Sequence, residues 1–303
     1  MKAVIMAGGE GTRLRPLTTN VPKPMLPIAN IPMMEHIVDL LVAHGITDIV
    51  VTVAYLADTV RNYFGDGSEF GVEMVYATED TPLGTAGSVR NAMDVLDERF
   101  VVISGDVLTD IDLSSIVAFH DERDALATIG LVAVENPLEF GIVITDEHGA
   151  IERFLEKPSW GQVFSDTINT GIFVLEPEIF DYIPADGPSD FSSDVFPEVL
   201  AAHKGLYGTV ATGYWEDVGT LEAYSRVHTD VLDGRVDVRI NGFELRDGVW
   251  LGEGAELHPD ALVSGKVVIG DSCRIEAGVE LGAYTVLGRN VRVRADAHLE
   301  RAI

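Results

Sequence analysis

The chain has 303 residues, 47% of them apolar, and a net charge of −28 from 21 basic and 49 acidic side chains. This length allows one large domain, or a large and a small one. So acidic a chain lacks the basic surface that nucleic acids need, and we expect no nucleic acid partner. The single cysteine, Cys273, excludes an internal disulfide framework and fits a reducing cytoplasm. The N-terminal apolar run is too short for a secretory or membrane-spanning segment, so no membrane partner is predicted.

The larger, N-terminal part of the chain alternates short apolar strands with helical stretches. Strands are predicted over residues 2–6, 48–54, 100–104, 126–134, 142–145, 151–155 and 168–175. Helices are predicted over residues 31–43, 191–202 and 221–232, each with apolar residues at helical spacing. This alternation indicates an α/β fold with a mainly parallel sheet and helices on both faces.

The C-terminal part of the chain shows an apolar pattern with a period of six. One register holds Leu251, Leu257, Val263, Ile269, Ile275, Leu281, Leu287, Val293 and Leu299. A second register, four positions later, holds Ala255, Ala261, Val267, Cys273, Val279, Thr285, Val291, Ala297 and Ile303. This hexapeptide pattern predicts a left-handed parallel β-helix, in which each six-residue step forms one side of a triangular coil. Because Cys273 belongs to an inward register, we expect a buried thiol.

Three regions are therefore predicted: a domain over residues 1–232, a linker over 233–248 and a β-helix over 249–303. The repeats continue to the last residue. A coil that ends without a cap exposes its apolar end. Either a partner covers that end, or the β-helix is truncated and the chain is part of a longer protein, and we favour the second alternative.

The N-terminal segment, residues 1–30, carries a local positive charge within this acidic chain. It contains four basic residues and one acidic residue, namely Lys2, Arg13, Arg15, Lys23 and Glu10. Glycines follow the first predicted strand, where they let the backbone approach a polyphosphate and donate N–H groups to it. Arg13 would add a bidentate clamp, and the three prolines around Lys23 would hold that lysine on a rigid arm. The segment predicts an anion site.

Two common glycine-loop motifs do not fit this segment. The dinucleotide-binding fingerprint needs a third glycine where Leu14 stands. The Walker loop needs Gly-Lys followed by Ser or Thr, which the segment lacks.

A run of motifs resembles the signature of nucleoside-diphosphate-sugar pyrophosphorylases. They are GGEGTRLRPLT (8–18), PKPMLPI (22–28), EDTPLGTAG (79–87), SGD (104–106), FG (140–141), FLEKP (154–158), NTGI (169–172) and YWEDVGT (214–220), in the family's order. The resemblance implies a Rossmann-like nucleotidyltransferase domain with a mixed, mainly parallel sheet, followed by a left-handed β-helix. It also implies a Mg²⁺-dependent reaction of a nucleoside triphosphate with a hexose 1-phosphate that releases pyrophosphate.

The PLGTAG form of the third motif is most similar to that of mannose-1-phosphate guanylyltransferases, which form GDP-mannose. A longer bacterial branch resembles the whole chain, and its members continue into a phosphomannomutase-like domain. By the same resemblance we expect a cytoplasmic enzyme and a homo-oligomer, with the β-helix as a possible contact.

The resemblance also implies the site residues. Arg13, Lys23 and Asp106 would be catalytic, and Asp106 and Asp217 would hold Mg²⁺. The nucleotide would be bound by Ala7, Gly8, Gly9, Gly11, Thr12, Arg13, Lys23, Glu79, Pro82, Gly84 and Thr85. The sugar phosphate would be bound by Gly141, Glu156, Lys157 and Asn169.

Glu79 suggests a choice of base. Guanine presents two adjacent donors, N1–H and N2–H₂, which match the two acceptor oxygens of a carboxylate. Thymine and uracil present one N–H between two carbonyls, which a carboxylate would repel. Our hypothesis is that Glu79 reads guanine; the alternative of an exposed loop glutamate stays open.

Three other functions are compatible with parts of the sequence. A glucose-1-phosphate thymidylyl- or uridylyltransferase would share the same motifs. A β-helix acyltransferase would need a catalytic histidine, and the coil region holds only His258 and His298, with no loop inserted between coils. A non-catalytic regulatory paralogue would have lost the arginine, the lysine or a metal carboxylate, all of which this chain keeps.

Overall fold

A computed structural model describes residues 1–134, 136–156 and 165–303, without the side chain of Glu156. The N-terminal region contains the strands β1 (Lys2–Met6), β2 (Pro27–Ile28), β3 (Ile31–Pro32), β4 (Asp48–Val53), β5 (Glu73–Thr78), β6 (Phe100–Ser104), β7 (Val107–Thr109), β8 (Ala127–Ala133), β9 (Gly141–Thr145), β10 (Ile151–Glu156), β11 (Thr167–Leu175), β12 (Leu206–Val210) and β13 (Trp215–Asp217). Its helices are α1 (Met33–Ala43), α2 (Ala57–Phe64), α3 (Gly84–Arg90), α4 (Leu113–Arg123), α5 (Phe196–Ala201) and α6 (Leu221–Leu232). The C-terminal strands are β14 (Phe243–Arg246), β15 (Val249–Leu251), β16 (Glu256–Leu257), β17 (Leu262–Val263), β18 (Val267–Ile269), β19 (Arg274–Ile275), β20 (Glu280–Leu281), β21 (Thr285–Leu287), β22 (Arg292–Val293) and β23 (His298–Leu299).

A nine-stranded mixed sheet forms the centre of the N-terminal region. Its main path is β10-β9-β11-β6-β1-β4-β5, and β8 and β12 extend from β11. Strand β1 lies between β4 and β6 and pairs in parallel with both, so that Val4 is opposite Val50 and Val102. Strand β11 runs antiparallel to β6, β8 and β9, and β10 runs antiparallel to β9. The other strands share one direction, which confirms the predicted mainly parallel sheet.

Helices cover both faces of the sheet. Alternate residues of a strand point to opposite sides, so each buried strand contributes side chains to both faces. On one face, Ile5 packs in a cluster with Ile37 and Leu41 of α1. On the other face, Val4 packs with Ala86 of α3 and Phe196 of α5. Strand β1 is therefore buried on both sides, and its carboxyl end is held in the middle of the sheet.

The C-terminal repeats form a three-sided parallel β-helix. Each strand pairs in parallel with the equivalent strand of the next turn, as in the series Val249, Val267 and Thr285. Three such sheets are present, so one turn contains three six-residue steps. The aliphatic side chains of both registers meet in one interior cluster. Cys273 lies in that cluster, where its thiol donates to the carbonyl of Gly288 at 2.9 Å, as the pattern predicted.

The segment between the domain and the coil is packed against both. Strand β14 pairs antiparallel with β15 at the edge of one β-helix sheet. Asp233 accepts hydrogen bonds from Lys266 at 2.8 Å and Tyr284 at 3.1 Å, both of which belong to the coil. The N–H of Asp237 donates to Asp110 Oδ2 of the N-terminal region at 2.7 Å. The residues predicted as a linker therefore contain a strand and bridge the two regions.

The structure also differs from the predicted elements in detail. The helix predicted over 191–202 begins with a π-helical turn over Phe191–Val195, and the α-helix starts only at Phe196. Pro197 has no N–H to donate to the preceding turn, so a regular α-helical ladder cannot pass through it. Among the described residues, no helix has both the length and the apolarity needed to cross a bilayer.

Candidate active site

Two carboxylates from distant parts of the chain converge on one lysine. Asp106 follows the buried strand β6, and Asp217 ends β13, which pairs with β7 so that Asp217 is opposite Val107. The ammonium of Lys23 lies 2.6 Å from Asp106 Oδ2 and 3.4 Å from Asp217 Oδ1. The Lys23 side chain is only 7% exposed, whereas 35% of the Asp106 side chain and 29% of the Asp217 side chain are exposed. A buried cation therefore sits between two carboxylates that face the solvent.

The two carboxylates have opposite pKa shifts. Burial alone would raise the pKa of Asp106, but the charge and hydrogen bond of Lys23 outweigh it, and so the pKa is lowered. The hydroxyl of Ser104 also donates to Asp106 Oδ1 at 2.7 Å. Burial and then the repulsion of Asp106 raise the pKa of Asp217. Two ionised carboxylates carry one negative charge more than Lys23 neutralises, and this excess favours a second positive group beside them.

Glycine at position 11 allows Lys23 to reach the carboxylates. Gly11 has φ of 62°, and a Cβ there would lie 2.9 Å from Cβ of Lys23 and 3.0 Å from Cγ2 of Thr18. The exposed Arg13 lies on the same side of the site. A Cβ on Gly219 would lie 3.0 Å from Asp217 Oδ2 and 3.2 Å from Arg13 Nη2, so both groups flank Gly219. Arg13, Lys23, Asp106 and Asp217 thus form one charged group.

A cavity of about 290 Å³ opens beside Asp106. It is lined by Met6, Gly8, Gly9, Thr52, Ala54, Glu79, Pro82, Leu83, Gly84, Thr85, Ser88, Ser104, Asp106 and Asp190. Gly9 leaves room for a ligand, because a Cβ there would meet nothing within 4 Å. The cavity lies at the carboxyl ends of parallel strands, where open α/β sheets bind their ligands.

Glu79 is buried at the wall of this cavity, with 9% of its surface exposed. Its Oε2 accepts a hydrogen bond from the N–H of Leu83 at 3.2 Å. Its Oε1 has no hydrogen-bond partner among the described residues. The hydroxyl of Thr52, in the same cavity, is also buried and unpartnered within the described part of the chain. Buried polar atoms without partners often mark a place where a ligand supplies the missing group, and the burial of Glu79 argues against an exposed loop glutamate.

Several predicted site residues lie in this cavity, and others do not. Gly8, Gly9, Glu79, Pro82, Gly84, Thr85 and Asp106 line it. Ala7, Gly11 and Thr12 lie outside its lining, although the glycine loop leads into it. The N–H and the hydroxyl of Thr85 both donate to Asp190 Oδ1, at 2.9 and 3.0 Å, and so are already engaged.

The residues predicted to bind the sugar phosphate lie on neighbouring strands. Gly141 begins β9 and is paired with Glu156 of β10. Asn169 is on β11, and its amide donates to Ser192 at 3.1 Å. Lys157 and the side chain of Glu156 fall outside the described residues, so their predicted roles stay predictions.

Two of the four basic residues from which the anion site was predicted make contacts away from the charged group. Lys2 donates to the carbonyl of Val95 at 2.6 Å, at the opposite end of β1. Arg15 forms an ion pair with Glu10 at 3.7 Å. The local charge count therefore overstated the predicted anion site, since only two of its four basic residues, Arg13 and Lys23, lie in the charged group.

Sequence reasoning missed Thr52, Ser88 and Asp190, which also line the cavity. Thr52 follows three apolar residues, 49–51, at the carboxyl end of β4, and this polar residue was the available signal. Asp190 comes from a loop far along the chain from Thr85, and no local pattern indicates that the two meet. A separate cavity of about 780 Å³ lies between α1 and residues 237–239, and none of the predicted site residues lines it.

The two carboxylates fit a Mg²⁺ ion as a donor set. Within residues 1–134, 136–156 and 165–303, no group of three or more His, Cys, Asp or Glu side chains is placed to hold a metal. Mg²⁺ in phosphoryl-transfer sites is bound by one or two carboxylates, with phosphate oxygens and water completing the shell. Asp106 and Asp217, which already share one cation, meet that requirement without a third protein ligand.

The fold and the charged group define a nucleotidyltransferase, and comparison with known proteins agrees. Residues 2–234 match the family model "Nucleotidyl transferase". The chain belongs to this family, whose members generally use a divalent metal.

The curated relatives include enzymes named for guanylyl transfer and an enzyme named for uridylyl transfer. A mannose-1-phosphate guanylyltransferase of Mycobacterium tuberculosis is 37% identical over 99% of this chain and 83% of its own length. A UTP–glucose-1-phosphate uridylyltransferase of Synechocystis is 36% identical over 100% of this chain and 82% of its own length. Among solved structures, a Bacillus anthracis protein assigned as a glucose-1-phosphate thymidylyltransferase superposes with a TM-score of 0.70 at 28% identity, covering 79% of this chain and 96% of that one. The chain is therefore similar to sugar-1-phosphate nucleotidyltransferases of different base specificity.

Proposed function

We propose that the protein joins GTP to mannose 1-phosphate, forming GDP-mannose and pyrophosphate. The observation that carries this proposal is the buried carboxylate of Glu79, whose Oε1, unpartnered among the described residues, lies at the wall of the cavity beside Asp106. A desolvated carboxylate favours a ligand edge that carries donors. Guanine offers two adjacent donors there, whereas uracil and thymine bring carbonyls next to their single N–H. The similarity to the mycobacterial guanylyltransferase supports the same choice.

In this reaction a phosphate oxygen of mannose 1-phosphate attacks the α-phosphorus of GTP. The new P–O bond forms as the bond to the β-phosphate breaks, and pyrophosphate leaves with that electron pair. The protein has little covalent chemistry to perform, so its contribution is positioning and charge neutralisation. Lys23, fixed by two carboxylates, and Arg13 would neutralise the phosphate oxygens as charge builds on them.

Asp106 and Asp217 would hold Mg²⁺, which when bound supplies positive charge to the phosphate oxygens. The backbone of residues 8–12 would contact the β- and γ-phosphates. On the sugar side, Gly141 would offer its N–H and Asn169 its amide, and Glu156 and Lys157 would bind the sugar hydroxyls and phosphate. These roles follow the resemblance and the position of each described residue on β9, β10 and β11.

A uridylyl- or thymidylyltransferase acting on glucose 1-phosphate is the second candidate. The Synechocystis relative and the Bacillus anthracis structure favour it. The first is 36% identical to this chain and the second 28%, compared with 37% for the mycobacterial protein. Both candidates share the fold and the charged group. They differ in the ligand that Glu79 would meet.

The test is pyrophosphate release with Mg²⁺, pairing GTP, dTTP, UTP and ATP with mannose 1-phosphate and glucose 1-phosphate. We expect GTP with mannose 1-phosphate to be preferred. Glu79→Gln replaces one acceptor by a donor and should raise KM for GTP about 10- to 100-fold, as expected for the loss of a hydrogen bond to a charged group. The matched control is Asp80→Asn, which removes a charge from the exposed neighbour.

Three results would contradict the proposal in different ways. A preference for UTP or dTTP with glucose 1-phosphate would reject Glu79 as a guanine reader but leave the charged group intact. An equal rise in KM for Asp80→Asn and Glu79→Gln would show a general charge effect. Absence of release with every pair, from folded protein, would support a non-catalytic regulatory role.

A further inference from the structure

A dense set of hydrogen bonds joins the wall of the nucleotide cavity to the loop before α5. Ser189 donates its N–H to the carbonyl of Leu83 at 2.8 Å, and its own carbonyl accepts from Ala86 at 2.9 Å and Gly87 at 3.0 Å. Asp190 Oδ1 accepts both the N–H and the hydroxyl of Thr85, and that hydroxyl accepts the N–H of Phe191 at 3.0 Å. We call residues 189–191 the clamp.

The approach of the clamp to the cavity wall depends on a glycine. Gly84 has φ of 73°, and a Cβ there would lie 2.5 Å from the carbonyl oxygen of Ser189. No other residue could adopt this conformation and still leave room for the clamp. Three amides of the first turn of α3 would otherwise lack partners. Those of Ala86 and Gly87 donate to the Ser189 carbonyl, and that of Thr85 donates to Asp190. The cavity wall thus takes its shape from the clamp.

The clamp continues into the π-helical turn Phe191–Val195, which contacts the sugar side of the site. Ser192, in that turn, accepts a hydrogen bond from the amide of Asn169 at 3.1 Å. The carbonyl oxygen of the same amide accepts from the N–H of Gly171 at 2.8 Å. The Asn169 side chain is therefore held at both ends, and one of those ends is the turn. Such π-helical turns occur frequently at functional sites.

We propose that Asp190 is a positioning residue that fixes the nucleotide wall through Thr85 and, through the adjoining turn and Ser192, the orientation of Asn169. One short segment then sets the geometry of both substrate pockets. The effect on the sugar side rests on the role of Asn169 in the proposed function; the effect on the nucleotide side does not. Thr85 acts through Asp190 and not as a direct ligand, since both of its polar groups are engaged.

The experiment measures KM and kcat for both substrates, with whichever nucleotide and sugar phosphate the protein prefers. Asp190→Ala removes the acceptor of two hydrogen bonds and should raise KM for the nucleotide about tenfold, with a smaller rise for the sugar phosphate. Thr85→Val keeps the shape of the side chain and should raise KM for the nucleotide alone. Ser192→Ala should raise KM for the sugar phosphate alone.

Rescue variants separate positioning from charge. Asp190→Asn keeps an acceptor oxygen, and Thr85→Ser keeps the hydroxyl, so each should recover most of the lost affinity. The control is Ser193→Ala, at an exposed position of the same turn. Nucleotide affinity measured by calorimetry in the absence of sugar phosphate provides a second readout, which remains valid if no substrate pair is turned over.

The outcomes divide clearly. If Asp190→Asn is as impaired as Asp190→Ala, the charge of Asp190 acts on the ligand or the metal, and the positioning role is overturned. If Thr85→Val, folded and with an unchanged melting temperature, binds the nucleotide as the unmodified protein does, the clamp does not shape the wall. If Ser192→Ala leaves KM for the sugar phosphate unchanged while the nucleotide results hold, the connection to Asn169 fails. Should Asp190→Ala not fold, the Thr85 and Ser192 variants still decide.

Discussion

Replacing Lys23 by methionine should leave Asp106 and Asp217 without a cation while keeping the apolar stem of the side chain. Removal of one partner of a fully buried ion pair costs about 3–5 kcal/mol. About a third of each carboxylate is exposed here, so water takes over part of the interaction. We therefore expect a loss of about 1–2 kcal/mol, which lowers the melting temperature of a chain of this size by roughly 2–3 °C.

The same variant should become unusually sensitive to Mg²⁺. In the unmodified protein the ammonium already lies 2.6 Å from Asp106, so Mg²⁺ should change the melting temperature little in the absence of nucleotide. In Lys23→Met the two carboxylates repel each other, and a divalent cation should restore most of the lost stability. The turnover number should fall by about 10²- to 10³-fold even with saturating Mg²⁺, since one preorganised charge at the transition state is missing.

The assay is thermal unfolding followed by circular dichroism, in EDTA and in a Mg²⁺ series. Lys204→Met, at an exposed position of the surface, is the control for loss of a positive charge. Equal melting temperatures for Lys23→Met and the unmodified protein in EDTA would refute the reasoning. So would a destabilised Lys23→Met that Mg²⁺ does not stabilise, because the carboxylates would then not converge on a cation site.

Three further predictions follow from single residues. Gly11→Ala should lower the melting temperature by several degrees. The backbone at φ of 62° disfavours a Cβ by about 1–2 kcal/mol, and the new atom would lie 2.9 Å from Lys23. The control Gly9→Ala, where a Cβ meets nothing within 4 Å, should leave the melting temperature unchanged. Burial lowers the pKa of His228 to about 4 from 6.5. The unfolded chain therefore binds a proton first, and the free energy of unfolding should fall by up to about 3 kcal/mol as the pH drops from 6.5 to 4; urea titrations at several pH values should show a shallower fall in His228→Gln. Ile275→Ala, in the interior of the β-helix, should cost about 2–5 kcal/mol in urea unfolding, and an equal loss for Leu262→Ala, whose side chain is 63% exposed, would contradict the inward register.

The β-helix was the most predictable part of the fold, and the reason is physical. Each six-residue step places its aliphatic residue in the same environment, so positions such as Ile275 and Leu281 repeat one requirement without interruption. The strands of the central sheet were predictable for a related reason, since burial on both faces requires continuous apolar runs such as β1 and β6. Helices α2, α3 and α4 were not predicted. The short α3, with glycines at positions 84 and 87, is stabilised by its contacts with Ser189 and not by propensity.

The charged part of the candidate site followed from the motifs, whereas its connections did not. Lys23, Asp106 and Asp217 each stand in a motif, and the fold brings them together. The clamp could not be predicted, because its residues lie more than 100 positions along the chain from Thr85. In the motif, Thr85 instead resembles a residue that binds the ligand directly. A hydrogen-bond partner at such a distance leaves no periodicity in the sequence. The charge count of the N-terminal segment overestimated the number of basic residues at the site. The number of charges in a segment can be read from the sequence, but the direction in which each side chain points cannot.

The three charged residues at the centre of the site have a consequence for synthesis on the ribosome. Lys23 precedes Asp106 by 83 residues and Asp217 by 194 residues. A nascent chain that has emerged only as far as β12 can bury Lys23 against one carboxylate and balance it. The second carboxylate arrives with β13, and only then are both proposed metal ligands present. If the two carboxylates hold Mg²⁺ as proposed, metal affinity would be acquired late, and a growing chain would not trap divalent ions before β13 has been made.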